Sequence, residues 1–183
     1  MMIVACQRIF LLALVAFLLP LSAIAQPSPA YVRQALPEAT LIGQGMFRWF
    51  GLSVYKARLW GDKTKVTAAG WAGNPFALEL EYTRTLYGEK IAIAIIDEIK
   101  KLGIGTSTQH EQWLSEMKKI FPNVEEGNQL TGIFTPGQPS RFFFNGKPIG
   151  DIADPEFGPA FFGIWLHPKT SAPKLRQVLL NTK

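Results

Sequence analysis

Few residues in this chain have the chemistry of a nucleophile or a general base, and their spacing does not gather them. Among 183 residues there are two histidines and one cysteine. His110 precedes a helical stretch and His167 precedes Pro168, and neither has an oriented partner nearby in the sequence. Histidines, cysteines and acids do not fall at metal-ligand spacing. There is no nucleophile-elbow motif and no phosphate-cradling glycine loop. The run Glu125-Glu126-Gly127-Asn128 reads as a turn, since it lacks the alternating acids of a calcium loop. The sequence therefore assigns no catalytic residue, no metal and no other cofactor. What it does hold is aromatic mass, with five Trp and 13 Phe. Most of that mass is expected to be core. The alternative use is an apolar cavity with a few polar groups at its mouth, the usual form of a small-ligand site. Arg48, Tyr55, Arg84 and Tyr87 lie in or beside otherwise apolar elements and are the candidate polar groups.

The ends and the composition narrow the setting. Arg8 is the only charge before Arg33, an apolar run extends from Ile9 to Leu19, and Pro20 precedes Ala23-Ile24-Ala25. This is the pattern of a secretory signal with cleavage before Gln26. The run is shorter than the ~20 apolar residues of a membrane span. Residues 1–25 are thus expected to be a signal peptide, and the mature protein periplasmic or secreted with no stable membrane span. Cys6 lies in the signal, so the mature chain has no thiol and no disulfide. Cleavage after residue 25 of 183 leaves 158 residues, enough for one domain with a sizeable core. Without Arg8, 18 basic and 14 acidic residues leave a net charge of about +4. The charges are dispersed, with no basic stripe interleaved with aromatics, which excludes nucleic acid as the expected partner.

The elements that must position the candidate residues follow from periodicity. Residues 26–39 contain three prolines and read as a leader, with structure expected from about Thr40 to the end of the chain, 40–183. Leu41 to Trp60 reads as two strands with a bend at Gly51. Ser53, Tyr55, Ala57 and Leu59 share one face; Leu52, Val54, Lys56 and Arg58 share the other, which is expected to leave the core. Phe76 to Tyr82 alternates as a half-exposed strand. Ile91, Ile95, Ile99 and Leu102 recur at helical spacing, and Gly103 ends that helix. A second helix is expected after Thr108 and stops at Pro122. Strands return at Gln129 to Thr135, Arg141 to Phe144 and Lys147 to Ile152, the last two joined by the hairpin turn Asn145-Gly146. Asp154 and Pro155 open a third helix, with a kink or late start near Pro159. Ser171 and Pro173 open a last one. Strands, two helices, strands and two helices imply an α+β domain: an antiparallel sheet with a helical layer.

Several segments, taken in order, carry a resemblance. They are Gly43-Gln44-Gly45, Val54-Tyr55-Lys56-Ala57-Arg58-Leu59-Trp60, Phe76 to Tyr82, Tyr87-Gly88-Glu89-Lys90-Ile91 and Phe161-Phe162-Gly163-Ile164-Trp165-Leu166. Together they resemble bacterial chalcone isomerase-like proteins, from about Leu41 to Leu180. The resemblance implies an open-faced β-sandwich with a ligand cleft between sheet and helices. Plant members of that family close chalcones to flavanones, and related plastid members bind fatty acids. Tyr87 matches the position of a catalytic tyrosine. The asparagine expected seven residues later is Ala94, and Tyr55 stands where the enzymes have a threonine. The fatty-acid-binding members have a tyrosine there, paired with an arginine that holds the carboxylate. Here the nearest match is Arg48, one residue later than the family pattern.

Three functions follow as expectations. The first is a non-catalytic binder of a fatty acid or similar amphipathic molecule, using Arg48, Tyr55 and Tyr87. The second is an isomerase of the chalcone type, weakened by Ala94, which offers no hydrogen-bond donor for a developing oxyanion. The third is a structural or partner-binding envelope protein with a filled cleft.

Overall fold

The computed structural model describes residues 27–182. The expected signal, residues 1–25, lies outside the described residues. A sheet of six strands forms the frame: β1 (Thr40–Trp49), β2 (Leu52–Gly61), β3 (Phe76–Tyr82), β4 (Gln129–Phe134), β5 (Ser140–Phe144) and β6 (Lys147–Ile152). They lie side by side in sequence order, each antiparallel to its neighbour. Two helices, α2 (Gly88–Leu102) and α3 (Ser107–Ile120), are inserted between β3 and β4. Two more, α4 (Phe157–Leu166) and α5 (Pro173–Leu179), follow β6. The expected α+β architecture, an antiparallel sheet with a helical layer, is the one found.

Alternation decides which side chains meet the helices. Tyr55, Ala57 and Leu59 of β2 share the inner core with Leu78, Leu80 and Tyr82 of β3 and with Ala92, Ile95 and Ile99 of α2. Gly103 ends α2 at φ 72°, and its N–H reaches the carbonyls of Ile99 and Lys100. At the other half of the sheet the core is aromatic. Phe76, Phe134, Phe142, Phe157, Phe161 and Phe162 pack with ring centroids 4.9 to 6.2 Å apart, most of them edge-on or tilted.

Several expectations need correction. The helix placed after Thr108 begins at Ser107, because Thr106 and Gln109 form a reciprocal capping box. Pro155 does not open α4. Its Asp154 carboxylate instead accepts from Trp113 Nε1 at 2.8 Å and from the Glu156 N–H at 2.9 Å, and the helix starts at Phe157. Pro159 then falls in the first turn, where the missing N–H has no intrahelical partner to lose.

The third correction concerns the leader. Residues Ala30–Ala35 form a short helix, α1, laid on the outer face of the sheet. Val32 is fully buried against Trp60, Ala77 and Ile133. The outer face of β2 is therefore buried from Arg58 to Trp60, although Leu52 at its start is exposed, and β3 is not half-exposed. Arg58 is only 8% exposed and Glu79 only 2%. Charge can be buried there because it is matched: Arg58 donates to Glu79 Oε1 at 2.6 Å and to Glu81 Oε2 at 2.7 Å. Burial works against the Arg58 charge, but the hydrogen bonds and charges of Glu81 and Glu79 outweigh it, so its pKa is raised. Tyr31 of α1 closes the cluster, its hydroxyl 2.8 Å from Thr131 Oγ1 and 3.3 Å from Glu79 Oε2.

The glycines of Gly43-Gln44-Gly45 have a packing reason. A Cβ on Gly43 would sit 2.0 Å from the Val178 carbonyl oxygen, and one on Gly45 would sit 2.6 Å from a Val178 methyl. Their bare backbone lets α5 lie directly on β1. Gly43→Ala should lower the unfolding free energy by about 1–3 kcal/mol in chemical denaturation. Gly73→Ala, with nothing within 4 Å of the new methyl, should not.

Candidate functional site

The aromatic block stops at Phe161 and Trp165, and beyond them the sheet and the helices part. The space between is a cavity of about 360 Å³, within the size range of small-ligand sites. Its floor comes from Phe47, Tyr55, Leu80 and Tyr82; its roof comes from Ile91, Ile95, Phe161 and Ile164. A bulge in β2 pairs Phe47 with Tyr55 but Arg48 with Ser53, and Val54, left between them, also reaches the cavity wall. The lining residues Trp49, Arg84, Lys90, Ala94 and Ser171 are exposed, so they mark the mouth.

The polar groups inside are phenols. Trp165 Nε1 donates to the Tyr55 hydroxyl oxygen at 3.0 Å. That bond occupies an acceptor site and leaves the Tyr55 proton free to donate. Tyr82 faces Tyr55 across the strand pair, with ring centroids 5.9 Å apart. Burial raises the pKa of both phenols, Tyr55 despite the opposing hydrogen bond from Trp165. Both stay protonated at neutral pH and can only offer neutral hydroxyls to a guest. The carboxylate of Glu98 is engaged elsewhere: it accepts from Lys101 Nζ at 2.6 Å and from Ser171 Oγ at 2.5 Å. The cations at the mouth are Arg84 and Lys90. The arrangement is an apolar slot with two neutral donors within and positive charge at the opening. Such a slot can take an apolar body inside and an anionic group at its opening.

The candidate residues are therefore divided. Tyr55 and Arg84 line the cavity. Arg48 and Tyr87 do not. Arg48 is exposed, and the reason lies in the strand period: Phe47 and Trp49 point to the cavity, so the residue between them points away. Arg48 thus lies on the face opposite the one that the resemblance expects for its arginine. Tyr87 is the N-cap residue of α2 and is 65% exposed. Ala94 does line the cavity, with a methyl where the resemblance expects an asparagine. Tyr82 and Trp165 were not among the candidates. Tyr82 sits at the end of an apolar alternation and reads as core, and only strand pairing sets it against Tyr55. Both histidines serve backbone contacts: His110 Nε2 lies 2.7 Å from the Ile104 carbonyl, and His167 Nδ1 accepts from the Lys169 N–H. Among the described residues, no group of three or more His, Cys, Asp or Glu could hold a metal ion.

Known proteins share this fold. The chalcone isomerase-like family model matches residues 28–181. The chain belongs to the chalcone isomerase-like family. An uncharacterized protein of Haemophilus influenzae is 29% identical over 140 residues, which is 76% of this chain and 67% of that protein. The crystal structure of the Arabidopsis thaliana fatty-acid binding protein AtFAP1 superposes with a TM-score of 0.62, covering 79% of this chain and 87% of its own. At 14% identity the likeness to AtFAP1 is one of fold. The match from residue 28 includes α1, consistent with the helix being part of the domain.

Two measurements check this account of the site. Tyr55→Phe should leave the buried Trp165 N–H without an acceptor and lower stability by about 1–3 kcal/mol. In an alkaline titration, a phenol in the unfolded chain ionises near pH 10. Folded Tyr31 is pushed up to about 12, by burial first and by Glu79, against the hydrogen bond to Thr131. Tyr55 and Tyr82 are raised as well. The sign follows: the stability these groups give is intact below about pH 10 and falls as the pH rises from there through the folded values. Denaturation curves that do not weaken over pH 10 to 12 would contradict it.

Proposed function

We propose that this protein is an exported, non-catalytic binder of a fatty acid or similar amphipathic acid. The observation that carries the reading is the cavity itself: an apolar slot between sheet and helices whose interior donors are neutral phenols and whose mouth holds Arg84 and Lys90. The hydrocarbon chain lies along Phe47, Leu80, Ile95 and Phe161. The carboxylate stays near the mouth, where Arg84 can grip it bidentately and little charge has to be desolvated. In this role Arg84 replaces Arg48, the arginine the resemblance pointed to. The fold it shares with a fatty-acid binding protein supports the reading. Export rests on the signal-like N-terminus, and places the ligand outside the cytoplasm.

Ring-closure chemistry is less well supported. Tyr87 is off the cavity wall and Ala94 supplies no donor. A purely structural role with a filled cleft is at odds with an open space of this size.

Calorimetry with a long-chain fatty acid should show saturable binding of one molecule. Ala94→Trp, which plugs the mouth, should abolish it while the chain stays folded. Arg84→Gln should weaken the acid about tenfold and leave the corresponding fatty alcohol unaffected. A protein that carries no extractable lipid and binds no fatty acid would end this proposal.

A further inference from the structure

The turn between β1 and β2 breaks the rules for its position. Its two central residues are Phe50 at φ 47° and Gly51 at φ 80°. A hairpin turn with two positive φ values favours Asn, Asp or Gly, and an aromatic residue there is strained. The strain is not offset by burial: Phe50 is 89% exposed, and its ring meets the exposed Trp49 ring edge-on at 5.1 Å. Trp49 and Leu52 on either side are 57% and 58% exposed. An apolar tip kept in a costly conformation, doing nothing for the core, points to a role outside the fold.

The surroundings say what it fits. The Thr83 N–H donates to the Val54 carbonyl, which sets the 83–87 segment beside the hairpin. That segment carries Arg84, and the first turn of α2 adds Lys90; Arg48 flanks the tip directly. Among the described residues, none of these three cations has a carboxylate at ion-pair distance. The nearby acids are accounted for. Glu89 pairs with Lys118, Glu81 with Arg58 and Glu98 with Lys101, while Glu125 and Glu126 lie in the 124–128 segment, which bonds to Leu86 and Tyr82 on the side of the 82–86 segment opposite the hairpin and makes no ion pair with Arg84. An aromatic and aliphatic tip ringed by unpaired cations is complementary to an anionic lipid surface: the rings enter the headgroup region and the cations meet phosphates. Trp49 and Arg84 also belong to the cavity mouth.

We infer that the β1–β2 tip, Trp49-Phe50-Gly51-Leu52, docks the protein on anionic membranes with the cavity mouth turned to the lipid. The inference stands on exposure, backbone conformation and charge, independently of what the cavity holds.

The test uses Trp49 as its own reporter, since Trp60, Trp71, Trp113 and Trp165 are all buried. The protein is mixed with vesicles of phosphatidylcholine alone or with phosphatidylglycerol, each also made with brominated acyl chains. Expected are sedimentation with the phosphatidylglycerol vesicles, loss of that binding as salt rises, and quenching of tryptophan emission by the brominated lipid. Trp49→Phe should keep sedimentation and lose the quenching. Phe50→Asn with Leu52→Asn should weaken vesicle binding by about tenfold or more. Phe50→Asn should leave stability unchanged or raised, because asparagine tolerates the positive φ. The inference is overturned if wild type ignores phosphatidylglycerol vesicles, if the double variant binds them equally, or if Phe50→Asn destabilises the fold. It is also overturned if the tip instead mediates a dimer that Phe50→Asn dissolves. Fatty-acid binding is measured separately without vesicles. A protein that takes the acid but ignores vesicles refutes only the docking; the converse refutes only the ligand.

Discussion

Interlocked aromatic rings set the distance between the sheet and its helical layer. Six phenylalanines, from β3, β4, β5 and α4, meet mostly edge to face, an arrangement that tolerates little change in spacing. Because α4 is buried nearly throughout, it cannot tilt toward the sheet without driving Phe161 and Phe162 into their neighbours. The rings thus act as a spacer. Where they end, at Phe161 and Trp165, the layers stay apart and line the cavity. The cavity exists because a rigid half of the core props open the other half.

The opposite face of the sheet solves a different problem. A six-stranded sheet with helices on one side would expose Trp60, Ala77 and Ile133 on the other. Helix α1 covers them with Val32, and Tyr31 seals the Arg58, Glu79 and Glu81 cluster beside them. Removing Arg58 would leave the buried Glu79 carboxylate without its counter-charge, which is costlier than never having had the pair. The sheet is therefore held from both sides.

The fold was legible where periodicity was clean. The strand pairs, the Asn145-Gly146 turn and α2 with its glycine stop all follow from side-chain spacing and turn chemistry. What sequence spacing hid was long-range. Nothing local in residues 30–35 shows that they cover the outer face, and three nearby prolines read as a leader. Arg58 and Glu79 look like solvated charges until pairing sets them opposite each other. The site was half legible for the same reason. Tyr55 follows from alternation along β2. Tyr82 and Trp165 need cross-strand register and helix packing to be seen as its partners. Arg48 was the right type of residue on the wrong face, an error of one position that only the observed register resolves.

The spatial division between spacer and cavity has an evolutionary meaning. Most of the cavity wall comes from residues 47–98, whereas most of the ring packing comes from residues 134–162. Most substitutions in the first stretch can reshape the cavity without drawing on the contacts that keep the layers apart. Such a domain can change the shape of its cavity in small steps and remain folded at each one. That gives one architecture room to serve different guests as its sequence drifts.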